Sequence, residues 1–300
     1  MFILSLIEIN KIPLIYHTNN FYAWKGGDSY EKFQEYDLTK HHEILFLGSS
    51  RSYRHYDPAI FENAGILAFN LGTNNQSAWG SSQIIEHYIN SQNSKIIVYD
   101  LYVEAIRLPA SVESSSYLIS NVSNNEAALD IALNMNDIKA VNLYFVRWLM
   151  RNKTSMYKEE GYQGRGFCTK QDTFDIEELI YNESLKTSNI YTPLDEKELL
   201  QLEELILKCK AKKVQLILVH SPTSKFYNVK NHLSFLQQIQ PILNKYQVVF
   251  FDYAKELSIP TETHFYDYSH MNYEGVKIFN KQLIEDLQKS KIIRKKMILE

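Results

Sequence analysis

Five short runs of apolar residues recur along the chain with little alternation between apolar and polar positions: 44–48, 66–70, 96–101, 214–219 and 248–252. Runs of this length, rich in β-branched and aromatic residues, fit strands buried on both faces, the condition of a parallel sheet. Between them the spacing becomes helical. Ile84, Ile85, Tyr88 and Ile89 share one face over 80–91, and Leu199, Leu202, Leu205, Ile206 and Cys209 share another over 194–210. Thr192-Pro193, with Asp195 three residues after the threonine, reads as the start of the second of these helices. Two more are predicted over 229–246, interrupted or kinked at Pro241, and over 273–288. Strands alternating with helices predict an α/β fold, a flavodoxin-like three-layer α/β/α sandwich around a five-stranded parallel sheet.

The interval 103–193 breaks the rhythm. It separates the third and fourth strands by far more than a normal crossover and carries a helical stretch over 126–150, followed by Gly161-Tyr162-Gln163-Gly164-Arg165-Gly166-Phe167. We read it as a mainly helical insertion rising from the carboxyl edge of the sheet, where it can roof a site. The glycine-rich run is expected to be a surface loop, with a mobile lid or a close backbone approach to substrate as alternatives. Residues 1–40 read as an amino-terminal extension and 41–300 as the α/β domain.

Composition narrows the function. A hydrophobic content of 45% over 300 residues supports a large core, and a net charge of −3 gives no global basic field for nucleic acid. Cys168 and Cys209, the only cysteines, exclude a four-thiolate zinc site and leave a disulfide open. The opening apolar stretch, Met1 to Ile7, is broken by Glu8. It is too short to cross a bilayer, which takes about 20 residues, and lacks the marks of a signal peptide. The 21 tyrosines are expected to be scattered packing residues, although a tyrosine-rich cleft would suit sugar rings.

Two segments carry the candidate chemistry. Ile44-Leu45-Phe46-Leu47-Gly48-Ser49-Ser50-Arg51 reads as a buried strand ending in a glycine and serines, and Asp267-Tyr268-Ser269-His270-Met271-Asn272 places a carboxylate three residues before an imidazole. A serine hydroxyl attacks only when an imidazole takes its proton, and that ring needs a carboxylate to hold one tautomer. Ser50 follows the first strand at the carboxyl edge, where open α/β sheets gather ligands. Each segment alone is ordinary: Gly-Ser-Ser is a common βα turn, and Asp-x-x-His is weak. Their joint occurrence, one after the first strand and one before the last helix, is informative.

These residues, with Asn70-Leu71-Gly72 after the second strand, resemble the SGNH (GDSL-like) hydrolase superfamily, and most closely its Gly-Ser-Ser branch of alginate O-acetylation and lipoteichoic acid D-alanylation proteins. The resemblance covers about 40–110 and 212–290 and omits the middle. It implies Ser50 as nucleophile, His270 as base and Asp267 as its orienting carboxylate, with the N–H groups of Ser50 and Gly72 facing the oxyanion. Ser49 stands where the founding pattern has Asp. The third strand, ending Tyr99-Asp100-Leu101, is not followed by the usual Gly-x-Asn-Asp block, so Asn75 or Asn74 is the candidate substitute donor. The implied activity is a serine esterase or acyltransferase acting on O-acyl, chiefly acetyl, groups of a carbohydrate or cell-envelope polymer, without metal or organic cofactor. A non-catalytic glycan- or partner-binding scaffold is the alternative. The likeness also favours a cell-envelope or extracytoplasmic setting and allows membrane association through an amino-terminal anchor missing from this chain.

Arg51, Asn74 and His220 are the candidate substrate contacts, whereas Arg54 is expected to be solvated. His41-His42 lies at the wrong end of its strand for a role at the site. His264, Asp267 and His270 lack helical metal-ligand spacing, and the basic tail from Lys289 reads as cations at a helix carboxyl end. Reading Gly48-Ser49-Ser50-Arg51-Ser52 as a phosphate cradle leaves Asp267 and His270 unexplained.

Overall fold

The computed structural model describes residues 25–107, 109–152, 157–173, 177, 193–227 and 229–294. In chain order its strands are β1 (His42–Leu47), β2 (Ala68–Asn70), β3 (Ser94–Asp100), β4 (Tyr162–Gly164), β5 (Phe167–Cys168), β6 (Gln215–His220) and β7 (Val249–Asp252). Five of them form one sheet in the order β2-β1-β3-β6-β7, every pair parallel, while β4 and β5 make a separate antiparallel hairpin. This is the flavodoxin-like order, with the chain reversing direction across the sheet at β1 and β3.

The unbroken apolar runs are explained by how the pleat sorts them. Ile44, Phe46, Ile96, Val98, Ile217 and Val219 pack on one face with Val276, Phe279 and Leu283 of the helix Tyr273–Lys289. Leu45, Leu47, Ile97, Tyr99, Leu216 and Leu218 pack on the other, against the helices Ala78–Tyr88, Glu196–Ala211 and Val229–Tyr246. Both faces are therefore dry, and each fully buried side chain contributes roughly 1.5–3 kcal/mol of transfer free energy.

Several local expectations are corrected. The stretch 126–150 is two helices, Asn125–Asn134 and Ile138–Leu149, parted at Asn136, whose φ is +52°. The long helix after the insertion is capped by Asp195, whose side chain accepts from Glu198 N at 3.0 Å, rather than by Thr192, which lies outside the described residues. Val229–Tyr246 runs through Pro241 as one helix. The glycine-rich run is no surface loop: it turns the β4–β5 hairpin against the free edge of β2, where Asn70 N donates to Arg165 O at 2.9 Å. Gly166 makes that approach feasible, since a Cβ there would lie 1.8 Å from Asn70 O and its φ is +79°.

The helix Gly27–Glu35, unanticipated in the 1–40 extension, buries Phe33 and Lys32 against the domain. Cys168 and Cys209 are buried and unpaired with each other. Among the described residues no helix is long and apolar enough to cross a membrane. The opening stretch Met1 to Ile7 lies outside them.

Candidate active site

At the carboxyl end of β1 the chain must turn at once into the short helix Ser50–His55. Gly48 permits it with a φ of +136°, at a point where a Cβ would meet Asp100 Cβ and carbonyl O at 3.1 Å. Ser49 takes the extended N-cap conformation, so Ser50 opens the helix and its N–H has no intrahelical acceptor. The loop after β2 is tied beside it, Leu71 N donating to Phe46 O at 2.9 Å and Thr73 N to Gly48 O at 3.2 Å.

The imidazole arrives on a tight turn. An antiparallel bridge between Phe265 and Met271 closes the loop, and Tyr266 N donates to His270 O at 3.1 Å. Inside the turn Asp267 Oδ1 accepts the amides of Ser269 and His270, each at 2.8 Å. Oδ2 is the nearer oxygen to the ring, 2.8 Å from His270 Nδ1, with Oδ1 at 3.1 Å. The other ring nitrogen, Nε2, lies 2.8 Å from Ser50 Oγ. The structure thus joins Ser50, His270 and Asp267 in one hydrogen-bonded chain. Tyr266 stacks on the imidazole at 5.6 Å and 8°.

The electrostatics suit proton acceptance by the ring. Burial lowers the His270 pKa below that of a free imidazole, and the bond and charge of Asp267 only partly oppose it. For Asp267, burial pushes upward, but the bonds from His270 and the turn amides outweigh it and hold the carboxyl below its usual range. At neutral pH the pair is a neutral imidazole on a carboxylate. The carboxylate assigns the ring proton to Nδ1, so the Nε2 lone pair faces the serine hydroxyl.

Ser50 and His270 open on a cavity of about 300 Å³. Its walls come from distant parts of the chain: Asp28 from the first described helix, Tyr53 and Arg54 from the nucleophile helix, Asn74 from the β2 loop, and Tyr117, Tyr157 and Glu159 from the insertion. Lys170 and Tyr266 complete them, the ammonium 5.2 Å from that ring's centroid. Arg54 lies 3.3 Å from Glu159 and 5.1 Å from the centroid of the Tyr53 ring. The tyrosine cleft, which scattered tyrosines did not promise, is present.

The other sequence candidates fare unevenly. Asn74 lines the cavity, one amide hydrogen directed at Tyr117 Oη at 3.1 Å. Asn75 does not: it sits exposed at the loop tip with φ +52°. Gly72 N–H donates to Asn70 Oδ1 at 3.0 Å, so that amide is already engaged. Arg51 is only 1% exposed and is no substrate contact; its guanidinium donates to Ser221 O at 2.6 Å and to Pro222 O at 2.9 Å. Arg54, assigned to solvent, lines the cavity instead. The helix is too short for sequence periodicity to show which arginine turns inward.

His220 is fully buried. Its Nδ1 lies 3.1 Å from Ser221 O and its Nε2 3.2 Å from Tyr227 Oη, away from the cavity. Tyr227 continues to His232 Nδ1 at 3.1 Å, and His232 Nε2 to Asp252 Oδ2 at 2.8 Å. His220, His232 and Asp252 have the composition of a metal site, but both nitrogens of His232 are hydrogen-bonded and a hydroxyl sits between the two rings. The chain of hydrogen bonds accounts for the cluster. Asp28, Tyr117, Tyr157 and Glu159 had no local sequence signal, because only the tertiary fold brings them to the cavity.

A protein-family profile matches residues 128–291, and no curated protein matches the chain. Among solved structures, a GDSL-like lipase from Bacteroides thetaiotaomicron VPI-5482 is similar at 10% identity, covering 91% of this chain and 98% of its own, with a TM-score of 0.39. An acetylxylan esterase from Geobacillus stearothermophilus is similar at 10% identity, covering 84% and 96%, with a TM-score of 0.41. Likeness at this level names no activity, which must be argued from the side chains.

Proposed function

We infer that the protein is a serine esterase or acyltransferase of SGNH type, acting on an O-acyl group, chiefly acetyl, of a carbohydrate. The observation that carries this reading is the Ser50–His270–Asp267 chain, with both links at 2.8 Å, opening on a tyrosine-walled cavity. Ser50 Oγ attacks the acyl carbonyl while His270 Nε2 takes its proton and Asp267 stabilises the imidazolium. His270 then returns the proton to the departing sugar oxygen, leaving an acyl-serine. Water or a second sugar hydroxyl, deprotonated by the same ring, resolves it.

The oxyanion needs donors already in place. Ser50 N–H, free at the helix start, is the first. The second is the remaining amide hydrogen of Asn74, whose other one is directed at Tyr117. The tyrosine walls offer faces and hydroxyls to sugar rings, consistent with a carbohydrate substrate such as a cell-envelope polymer.

One observation favours the alternative of a non-catalytic glycan-binding scaffold: the Gly72 amide is engaged by Asn70. Turnover of p-nitrophenyl acetate separates the two. The enzyme reading expects hydrolysis that disappears in Ser50→Ala; the scaffold reading expects none, together with binding of acetylated oligosaccharide that survives the substitution.

A further inference from the structure

His55 lies five residues after Ser50, on the same short helix, and is completely buried. Its Nε2 is 3.1 Å from the backbone N of Met271, the residue following His270. A backbone amide can only donate, so Nε2 must hold a lone pair and the ring proton must sit on Nδ1. There it donates to Ser221 Oγ at 2.9 Å. The Ser221 hydroxyl is held in turn by Arg51, with Nη2 at 2.5 Å and Nε at 3.1 Å. Asp100 faces the same cluster, its Oδ1 accepting from Tyr56 Oη at 2.8 Å and its Oδ2 lying 3.8 Å from Arg51 Nε. These groups are sealed from the cavity and the proposed reaction does not use them.

The geometry points to His55 as a positioning residue that ties the nucleophile helix to the loop carrying the base and so fixes the Ser50 Oγ to His270 Nε2 distance. This rests on the roles proposed above for Ser50 and His270. One hydrogen bond spans the two elements from beneath, and the His55 ring meets His270 edge-on, at 6.0 Å and 79°. Asn280 steadies the far end of the same helix, donating to His55 O at 2.6 Å.

The device works only with a neutral ring, because a second proton would set Nε2–H against the Met271 amide. The charged and titratable groups around His55 keep it neutral: Arg51 and Arg54 from its own helix, His270 from the base loop and His220 from the end of β6. Burial is the largest cause, and together with these neighbours it depresses the His55 pKa well below that of a free imidazole.

The test compares wild type, His55→Ala, His55→Gln and Ser50→Ala on p-nitrophenyl acetate. Loss of the tie is expected to lower kcat about 100-fold in His55→Ala, the order of effect of a misplacement near 1 Å. KM should stay within about 2-fold, and the acid limb of the kcat/KM profile should move as the His270 environment changes. His55→Gln, which can still accept from Met271 and donate to Ser221, should recover at least about tenfold of the lost kcat. A lowered melting temperature in His55→Ala with kcat and the acid limb unchanged overturns the proposal. Undiminished turnover in Ser50→Ala instead overturns the enzyme reading. Should His55→Ala fail to fold, Ser221→Ala, which removes the Nδ1 acceptor, is read in the same way. A long-range ¹H–¹⁵N spectrum of the wild type at pH 7 needs no substrate: it should show His55 protonated on Nδ1 alone, and a proton on Nε2 refutes the tie.

Discussion

Replacing Asp267 by asparagine tests whether the carboxylate sets the tautomer of His270. In the wild type Oδ1 accepts two backbone amides at 2.8 Å, and the ring Nδ1 donates chiefly to Oδ2 at 2.8 Å, with Oδ1 farther off at 3.1 Å. An asparagine must keep its carbonyl oxygen toward the two amides, because an NH₂ there would face two donors. Its NH₂ therefore occupies the Oδ2 position and donates to Nδ1. The ring proton moves to Nε2 and points at Ser50, so the imidazole can no longer accept the serine proton. Where a triad carboxylate is changed this way the loss is about 10⁴-fold in kcat, equivalent to about 5.5 kcal/mol. The turn keeps its backbone bonds, now to a neutral acceptor, so stability should fall by only about 1–2 kcal/mol and the melting temperature by no more than about 5 °C. Steady-state hydrolysis of p-nitrophenyl acetate, with calorimetry on the same samples, measures both. A folded Asp267→Asn enzyme within tenfold of wild-type kcat would refute the tautomer argument.

Other consequences follow from single contacts. Gly166→Ala should destabilise the protein by about 3 kcal/mol or more, because its Cβ would fall 1.8 Å from Asn70 O and force the hairpin off β2; a loss below about 1 kcal/mol in urea unfolding contradicts that packing. Arg51→Leu leaves Asp100 and the Ser221 loop without their buried cation and should cost about 3–5 kcal/mol, whereas a stable variant altered only in KM would restore a substrate role. Burial lowers the pKa of His55, His220 and His270 in the folded state. Below about pH 6.5 the unfolded chain then binds more protons than the folded one, so stability present above that pH declines as the pH falls. His42 and His87 are lowered in the same way. Glu198, raised by burial to about 7, and Glu31, Asp57 and Glu256, also raised by burial, act in the opposite sense. His55 and His220, held well below the free imidazole, outweigh them. Melting temperatures from pH 8 to pH 5 should therefore decrease, and a constant value counts against neutral buried histidines.

The sheet was legible because its strands are apolar on both faces. The runs around Ile44, Ala68, Val98, Leu218 and Phe250 needed only their length and β-branched content to be recognised. Ser50, Asp267 and His270 could be named because each sits at a junction of strand or turn with helix, where local chemistry leaves a mark. Arg51 and Arg54 were harder. The helix Ser50–His55 is less than two turns long, so no repeating pattern reveals which arginine is buried, and a buried guanidinium contradicts average burial preferences. Lys32 and Asp28 were missed for a related reason: their helix is polar, and the ion pair at 2.7 Å that makes their burial tolerable is a tertiary fact. The cavity walls from the insertion were illegible, since Tyr117 and Tyr157 look like any of the other tyrosines until the fold gathers them.

The account turns on whether Ser50 is a nucleophile activated by His270. Treating the protein with a fluorophosphonate and mapping the adduct by peptide mass spectrometry asks this without knowledge of the natural substrate. One covalent adduct on Ser50, absent in Ser50→Ala and formed far more slowly in His270→Ala, is the predicted result. An unmodified Ser50, or labelling at equal rate without the imidazole, would contradict it.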